Sequence, residues 1–140
     1  FKTAGVANRV VKLRVSLVLG NEGGIFPVFK NMLKSQPEAF RSIEGYTYFP
    51  WVHVRDMAGM FAYGVTNNNL DGVFNTTAPG LATKEGIFRK MYYLMQNDTT
   101  GFEKVDASYN GQHLTSDKIV KAGYEFQFPD IDSSLKDLIQ

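Results

Sequence analysis

Phe49-Pro50-Trp51-Val52-His53-Val54-Arg55-Asp56 runs straight on into Met57-Ala58-Gly59-Met60-Phe61-Ala62-Tyr63. Residues 51–54 are β-branched or aromatic apart from one histidine, which suits a short strand. Asp56 then places a carboxylate where a helix exposes its free N–H groups and the positive end of its dipole. Apolar residues at 57, 60, 61 and 65 follow at helical spacing. A strand that turns directly into a helix is the unit from which α/β proteins are built. It also crowds an aromatic ring, an imidazole and two charges into one corner. Corners carried on such a scaffold commonly hold sites.

Working back towards the start, Arg9-Val10-Val11-Lys12-Leu13-Arg14-Val15-Ser16-Leu17-Val18-Leu19 is rich in valine and leucine and does not alternate cleanly. It reads as one strand buried on both faces, as in a parallel sheet. Arg14, in mid-strand among apolar neighbours, is then expected to be buried and paired with a carboxylate, a carbonyl or an anion. Gly20-Asn21-Glu22-Gly23-Gly24 is turn chemistry, and neither phosphate-loop spacing occurs in it. Ile25 to Ser35 has the broad apolar face of a helix, and Pro37 ends it. Residues 38–48 read as irregular or short strand.

Beyond the corner, Gly72-Val73-Phe74-Asn75-Thr76-Thr77 is a second buried strand, closed by Ala78-Pro79-Gly80. Thr83 can cap a helix running to Gln96. Residues 97–111 are polar and turn-rich. A short helix at 118–122 stops at Gly123. Tyr124, Phe126 and Phe128 alternate with Glu125 and Gln127 as in a half-buried strand, and Asp130 or Asp132 caps a last helix reaching Ile139. Strands alternating with helices make the chain α/β.

The totals narrow the function. With 140 residues the chain is one domain or part of one. A net charge of +1 gives no electrostatic case for nucleic acid, and no apolar run approaches membrane-spanning length. Without cysteine there is no disulfide scaffold, thiolate metal site or cysteine nucleophile, which fits an intracellular, reducing compartment. His53 and His113 lie far apart without clustered carboxylates, so no metal site is expected. No Tyr-x-x-x-Lys pair occurs, and no catalytic residue is assigned.

Several blocks together resemble one family. They are Leu13-Arg14-x-x-Leu17-Val18-Leu19-Gly20, Gly23-Gly24, Phe49-Pro50-Trp51-Val52-His53-Val54-x-Asp56-Met57-Ala58-Gly59 and Gly72-Val73-Phe74-Asn75-Thr76-Thr77-Ala78-Pro79. The ending Ala122-Gly123-Tyr124-Glu125-Phe126-Gln127-Phe128-Pro129, with Leu135-Lys136-Asp137-Leu138 after it, completes the pattern. The pattern is similar to the C-terminal half of atypical, extended short-chain dehydrogenase/reductases of the epimerase family, found in bacteria and in eukaryotic organelles. Residues 40–45 and the polar stretch 97–112 depart from it.

The resemblance implies that residues 1–140 form the C-terminal part of one NAD(P)-binding Rossmann-like domain with a small α/β substrate lobe. The upstream dinucleotide-binding half would be absent, so NAD or NADP would bind only together with it. Val15 and Ser16 would lie near the nicotinamide. Trp51, His53, Arg55 and Asp56 would line or brace the substrate side. The partner implied is the upstream half, or a subunit that covers the strand at 9–19. The alternative is a non-catalytic, reductase-like accessory subunit of a larger complex, with a mitochondrial address left open.

Overall fold

The computed structural model describes residues 7–37, 47–96 and 113–139. The expectations for residues 38–46 and 97–112 lie outside the described residues. The elements are β1 (Val11–Val15), β2 (Leu17–Leu19), α1 (Ile25–Ser35), β3 (Trp51–His53), α2 (Val54–Thr66), β4 (Gly72–Thr76), α3 (Lys84–Gln96), α4 (Asp117–Lys121) and α5 (Ile131–Ile139).

The single strand expected at 9–19 is two strands that pair with different partners. β1 runs parallel to β4, with Val11 opposite Gly72 and Val15 opposite Thr76. β2 runs parallel to β3, with Leu17 opposite Trp51 and Leu19 opposite His53. Val11 and Leu13 share an apolar cluster with Val18. In an unbroken strand, odd and even positions face opposite sides, so the parity has slipped at Ser16, as at a β-bulge. Side chains patch the gap: Ser16 Oγ donates to Thr76 O at 2.7 Å, and Thr76 Oγ1 donates to Arg14 O at 2.9 Å.

Beyond this bulge β1–β2 and the β4 segment part, and β3 fills the fork. Leu17 N donates to Pro50 O at 3.1 Å, while Ala78 N donates to Trp51 O at 2.7 Å. Successive carbonyls of an extended chain point to opposite sides. β3 therefore stands between β2 and the continuation of β4. Among the described residues no strand pairs with the other edge of β1 and β2.

A strand wedged between two others is buried on both faces, which is why Trp51-Val52-His53 shows no alternation. Trp51 joins a core with Leu19, Phe26, Phe29, Phe88 and Met91, built against α1, α3 and α5. Val52 faces a second core, with Met57, Met60, Phe74, Ile119 and Tyr124, under α2 and α4. Gly64 lets α2 lie close on β1, since a Cβ there would stand 3.4 Å from Val11 Cγ1.

β1 departs from the expected two-sided burial. Val11 and Leu13 are half-buried against α2, but Lys12, Arg14 and Val15 are exposed. Arg14 is thus not a buried arginine. The arginine that finds carbonyls is Arg9, whose guanidinium donates to Gly64 O at 2.8 Å, Leu70 O at 3.1 Å and Val65 O at 3.3 Å. It satisfies two of the last carbonyls of α2, Gly64 O and Val65 O, as basic side chains do at helix C-termini.

The helices follow their expected signals closely. Thr83 Oγ1 accepts from Gly86 N at 3.0 Å ahead of α3, and Asp130 Oδ1 accepts from Ser133 N at 2.9 Å ahead of α5. Residues 124–128 alternate in exposure as expected yet form no strand. Two of their N–H groups are taken by a side chain instead of a ladder.

Candidate functional site

That side chain is Asp56. It lies in the first turn of α2 and is fully buried. Oδ1 accepts from Gln127 N at 2.8 Å and Oδ2 from Phe128 N at 2.9 Å. The Tyr124 hydroxyl donates to Asp56 O at 2.9 Å and lies 3.2 Å from Oδ1. A carboxylate held by backbone donors and a helix N-terminus needs no counter-ion. Burial, and then the Asp56 charge beside it, pushes the Tyr124 phenol well above its ordinary value. Tyr124 is therefore a neutral donor at physiological pH.

His53 closes β3 and caps α2. Its backbone is extended, and Nδ1 accepts from Arg55 N at 3.1 Å. A neutral imidazole whose Nδ1 accepts must carry its proton on Nε2. Nε2 lies 3.3 Å from Asp137 Oδ2, a close charge contact without the alignment of a hydrogen bond. The ring stacks on Phe128 with centroids 3.8 Å apart. Burial lowers the His53 pKa; the Arg55 charge adds to this, and Asp137 and Asp56 oppose it. Arg55 Nη1 donates to Asp137 Oδ1 at 3.0 Å, and its guanidinium sits 5.7 Å from the Phe128 ring centroid.

One carboxylate from α5 thus joins His53 and Arg55. They border a cavity of about 500 Å³ at the C-terminal ends of β2 and β3, closed on its other side by the 20–24 glycine loop. Crevices outside the carboxyl ends of parallel strands are where α/β proteins receive ligands. The directly paired Arg55 guanidinium and Asp137 carboxylate together form a polar wall of this cavity. Among the described residues no three histidines, aspartates or glutamates gather for a metal ion.

The residues singled out in the sequence do not converge on one point. His53 and Arg55 meet at Asp137. Asp56 turns away to bind the 124–128 segment. Trp51 donates from Nε1 to Gly80 O at 3.1 Å within the apolar core. Val15 and Ser16 lie at the fork, with Ser16 bonded to Thr76 and the Val15 side chain 52% exposed. Sequence reasoning gave no site role to Asp137 or Phe128: Asp137 stood out only by its place in the family-like ending, and Phe128 also as an inward residue of the alternating stretch.

No family model matches the chain. Curated proteins do. Human epimerase family protein SDR39U1 is 25% identical over 148 residues, covering 96% of this chain and 50% of that protein. A Staphylococcus aureus epimerase family protein is 24% identical over 147 residues, covering 96% and 48%. The chain is similar to the epimerase family proteins. It spans about half the length of the curated relatives it matches. A chloroplastic SDR39U1 homologue of Arabidopsis thaliana is 34% identical over 74 residues, 51% of this chain.

The solved structures agree on the fold. Human SDR39U1 with NADPH superposes with a TM-score of 0.64 at 22% identity, covering 94% of this chain and 48% of that one. A nucleoside-diphosphate sugar epimerase from Corynebacterium glutamicum gives 0.69 at 17% identity, covering 94% and 26%. The fold is α/β, and its neighbours are Rossmann-like epimerases and dehydratases. Among the described residues no helix is long and apolar enough to cross a membrane.

Proposed function

We propose that this chain is the C-terminal half of an NAD(P)-dependent oxidoreductase or epimerase-like protein. It completes a Rossmann sheet and supplies the substrate lobe. The observation that carries this reading is the edge of β1 and β2 that no strand pairs among the described residues, in a chain half as long as its relatives. Parallel strands are rarely left at an open edge with so few neighbours.

In this reading the other half brings the phosphate-binding turn, for which this chain has no matching glycine spacing. Bound there, NAD or NADP would supply hydride chemistry. This chain's Val15 and Ser16 would border the nicotinamide at the fork. The exposure of Val15 leaves an apolar surface for a ring to rest on. Trp51 and Asp56 brace the substrate side from within, and His53 and Arg55 face it across the cavity beside Asp137. A non-catalytic accessory subunit is the second reading. It is favoured by the corner's polar groups being bonded mainly to one another.

Titration with NADH and NADPH, followed by fluorescence, tests the proposal. The chain alone should bind neither at micromolar concentration, whereas the chain joined to its other half should bind one of them. Micromolar binding by the chain alone would overturn the half-fold reading. Binding without turnover, for any carbonyl or sugar-nucleotide substrate, would favour the accessory role.

A further inference from the structure

His53 makes contacts that only one of its protonation states allows. Nδ1 accepts from Arg55 N at 3.1 Å and so caps α2. The ring is fully buried and stacks on Phe128. An imidazolium carries an N–H at both nitrogens and accepts nothing. Turning the ring over does not help, since either nitrogen would then present a proton to the Arg55 N–H. A proton on His53 and the cap on α2 therefore exclude each other.

The second nitrogen faces a carboxylate that is already engaged. Nε2 lies 3.3 Å from Asp137 Oδ2 without an aligned hydrogen bond, while Arg55 Nη1 donates to Asp137 Oδ1 at 3.0 Å. Asp137 belongs to α5 and Arg55 to α2, so this pair ties the last helix to the corner. Burial and the Arg55 charge resist a proton on the ring, whereas Asp137 from α5 and Asp56 from α2 favour it. Glu22, in the loop before α1, borders the same cavity, and its charge acts in the same sense as the two aspartates. β2 brings only leucine and valine to the ring, and Phe128 carries no charge.

We infer that the β3–α2 corner is an acid-operated latch: a proton on His53 frees the first turn of α2 and moves the hold on Asp137 from Arg55 to the imidazolium. All its parts lie in this chain, so it stands whether or not the half-fold reading does. Two cations then compete for one carboxylate. The imidazolium is shut away from water and destabilises the fold unless it is paired, so it takes Asp137. The Arg55 side chain is 60% exposed and is hydrated instead. The Arg55 N–H, on an exposed residue, finds water as well. Asp56 keeps its two backbone donors, Gln127 N and Phe128 N, so the rest of α2 stays in place. At the cavity, a neutral imidazole and a paired arginine give way to one more positive charge and an unpaired guanidinium. That wall suits an anionic group on the molecule the cavity receives.

The test follows the His53 ring in the full-length protein by long-range nitrogen–proton NMR correlation. Hydrogen exchange at the Arg55 amide, corrected for its intrinsic pH dependence, is measured alongside. As pH falls below the ordinary histidine value, both ring nitrogens should become protonated while circular dichroism stays native. Protection of the Arg55 amide should fall several-fold with the same midpoint, and added sulfate should shift the Arg55 Nε resonance only below it. Asp137→Asn removes a charge that favours the imidazolium, so both midpoints should move together to lower pH. His53→Asn keeps a capping acceptor and takes no proton, so the amide should stay protected throughout. A ring that remains neutral until the protein unfolds would overturn the inference. So would loss of amide protection at an unrelated midpoint, midpoints unmoved by Asp137→Asn, or a sulfate response equal on both sides of the transition.

Discussion

Asp56→Ala removes the carboxylate that holds the backbone of residues 127 and 128 to α2. The carboxylate accepts two backbone N–H groups, from Gln127 at 2.8 Å and Phe128 at 2.9 Å. Hydrogen bonds to a charged acceptor contribute roughly 1.5–3 kcal/mol each. Water can reach Gln127, which is exposed, more readily than the half-buried Phe128. The lower end of the range therefore applies, and the loss should be about 3 kcal/mol. The Tyr124 hydroxyl keeps its contact with Asp56 O, a backbone atom, so it adds little to the loss. Asp56→Asn should cost less, since one oxygen still accepts, though its amide group then confronts an N–H. Urea denaturation at fixed pH, followed by circular dichroism, measures both. Hydrogen exchange at the Gln127 and Phe128 amides should quicken in the alanine variant ahead of global unfolding. A loss below about 0.5 kcal/mol, the ordinary range for surface changes, would refute the reasoning. The segment would then be held by the packing of Tyr124, Phe126 and Phe128 alone.

Further outcomes follow from the same coordinates. The His53 pKa is lowered in the fold by burial, so the unfolded chain takes up a proton near the ordinary histidine value while the folded one does not. Stability should be fully present above that value, decline as pH falls through it, and level off below the lowered folded pKa. His53→Asn, which keeps a capping acceptor, should flatten that decline in denaturation midpoints measured across the window, and an unchanged slope would assign it to other groups. Gly80→Ala would set a Cβ 2.7 Å from Pro129 O and 2.9 Å from Asp130 Cα, both backbone atoms. It should destabilise by about 1–3 kcal/mol, whereas Gly23→Ala, with open space around it, should stay within about 0.5 kcal/mol. Thermal melts of the pair decide this, and equal melting temperatures would refute it.

The helices were legible because their signals are local. Pro37, Thr83, Asp130 and Gly123 each act within a turn of the element they bound, and α1 occupies the span its apolar face marks. The β3–α2 corner was legible for the same reason. The slip at Ser16 was not. Val15-Ser16-Leu17 is compatible with an unbroken strand, and the break is imposed by a partner more than thirty residues later entering the fork. Arg14 was misjudged because burial was inferred from neighbours in sequence, whereas its exposure depends on which sheet face is covered. The meeting of His53 with Asp137 spans most of the chain, and no periodicity carries information over that distance.

The wedge strand also gives this protein a built-in optical reporter. Trp51 is the chain's single tryptophan, buried at the crotch where three backbone segments meet and bonded through its indole nitrogen to Gly80. Its emission therefore reports on the point where β3 enters the core built against α1, α3 and α5. If β3 slid out of its slot while the helices stayed intact, the spectrum would move to the red before circular dichroism registered any change. Order of events along the unfolding path can thus be followed with no label and no substitution.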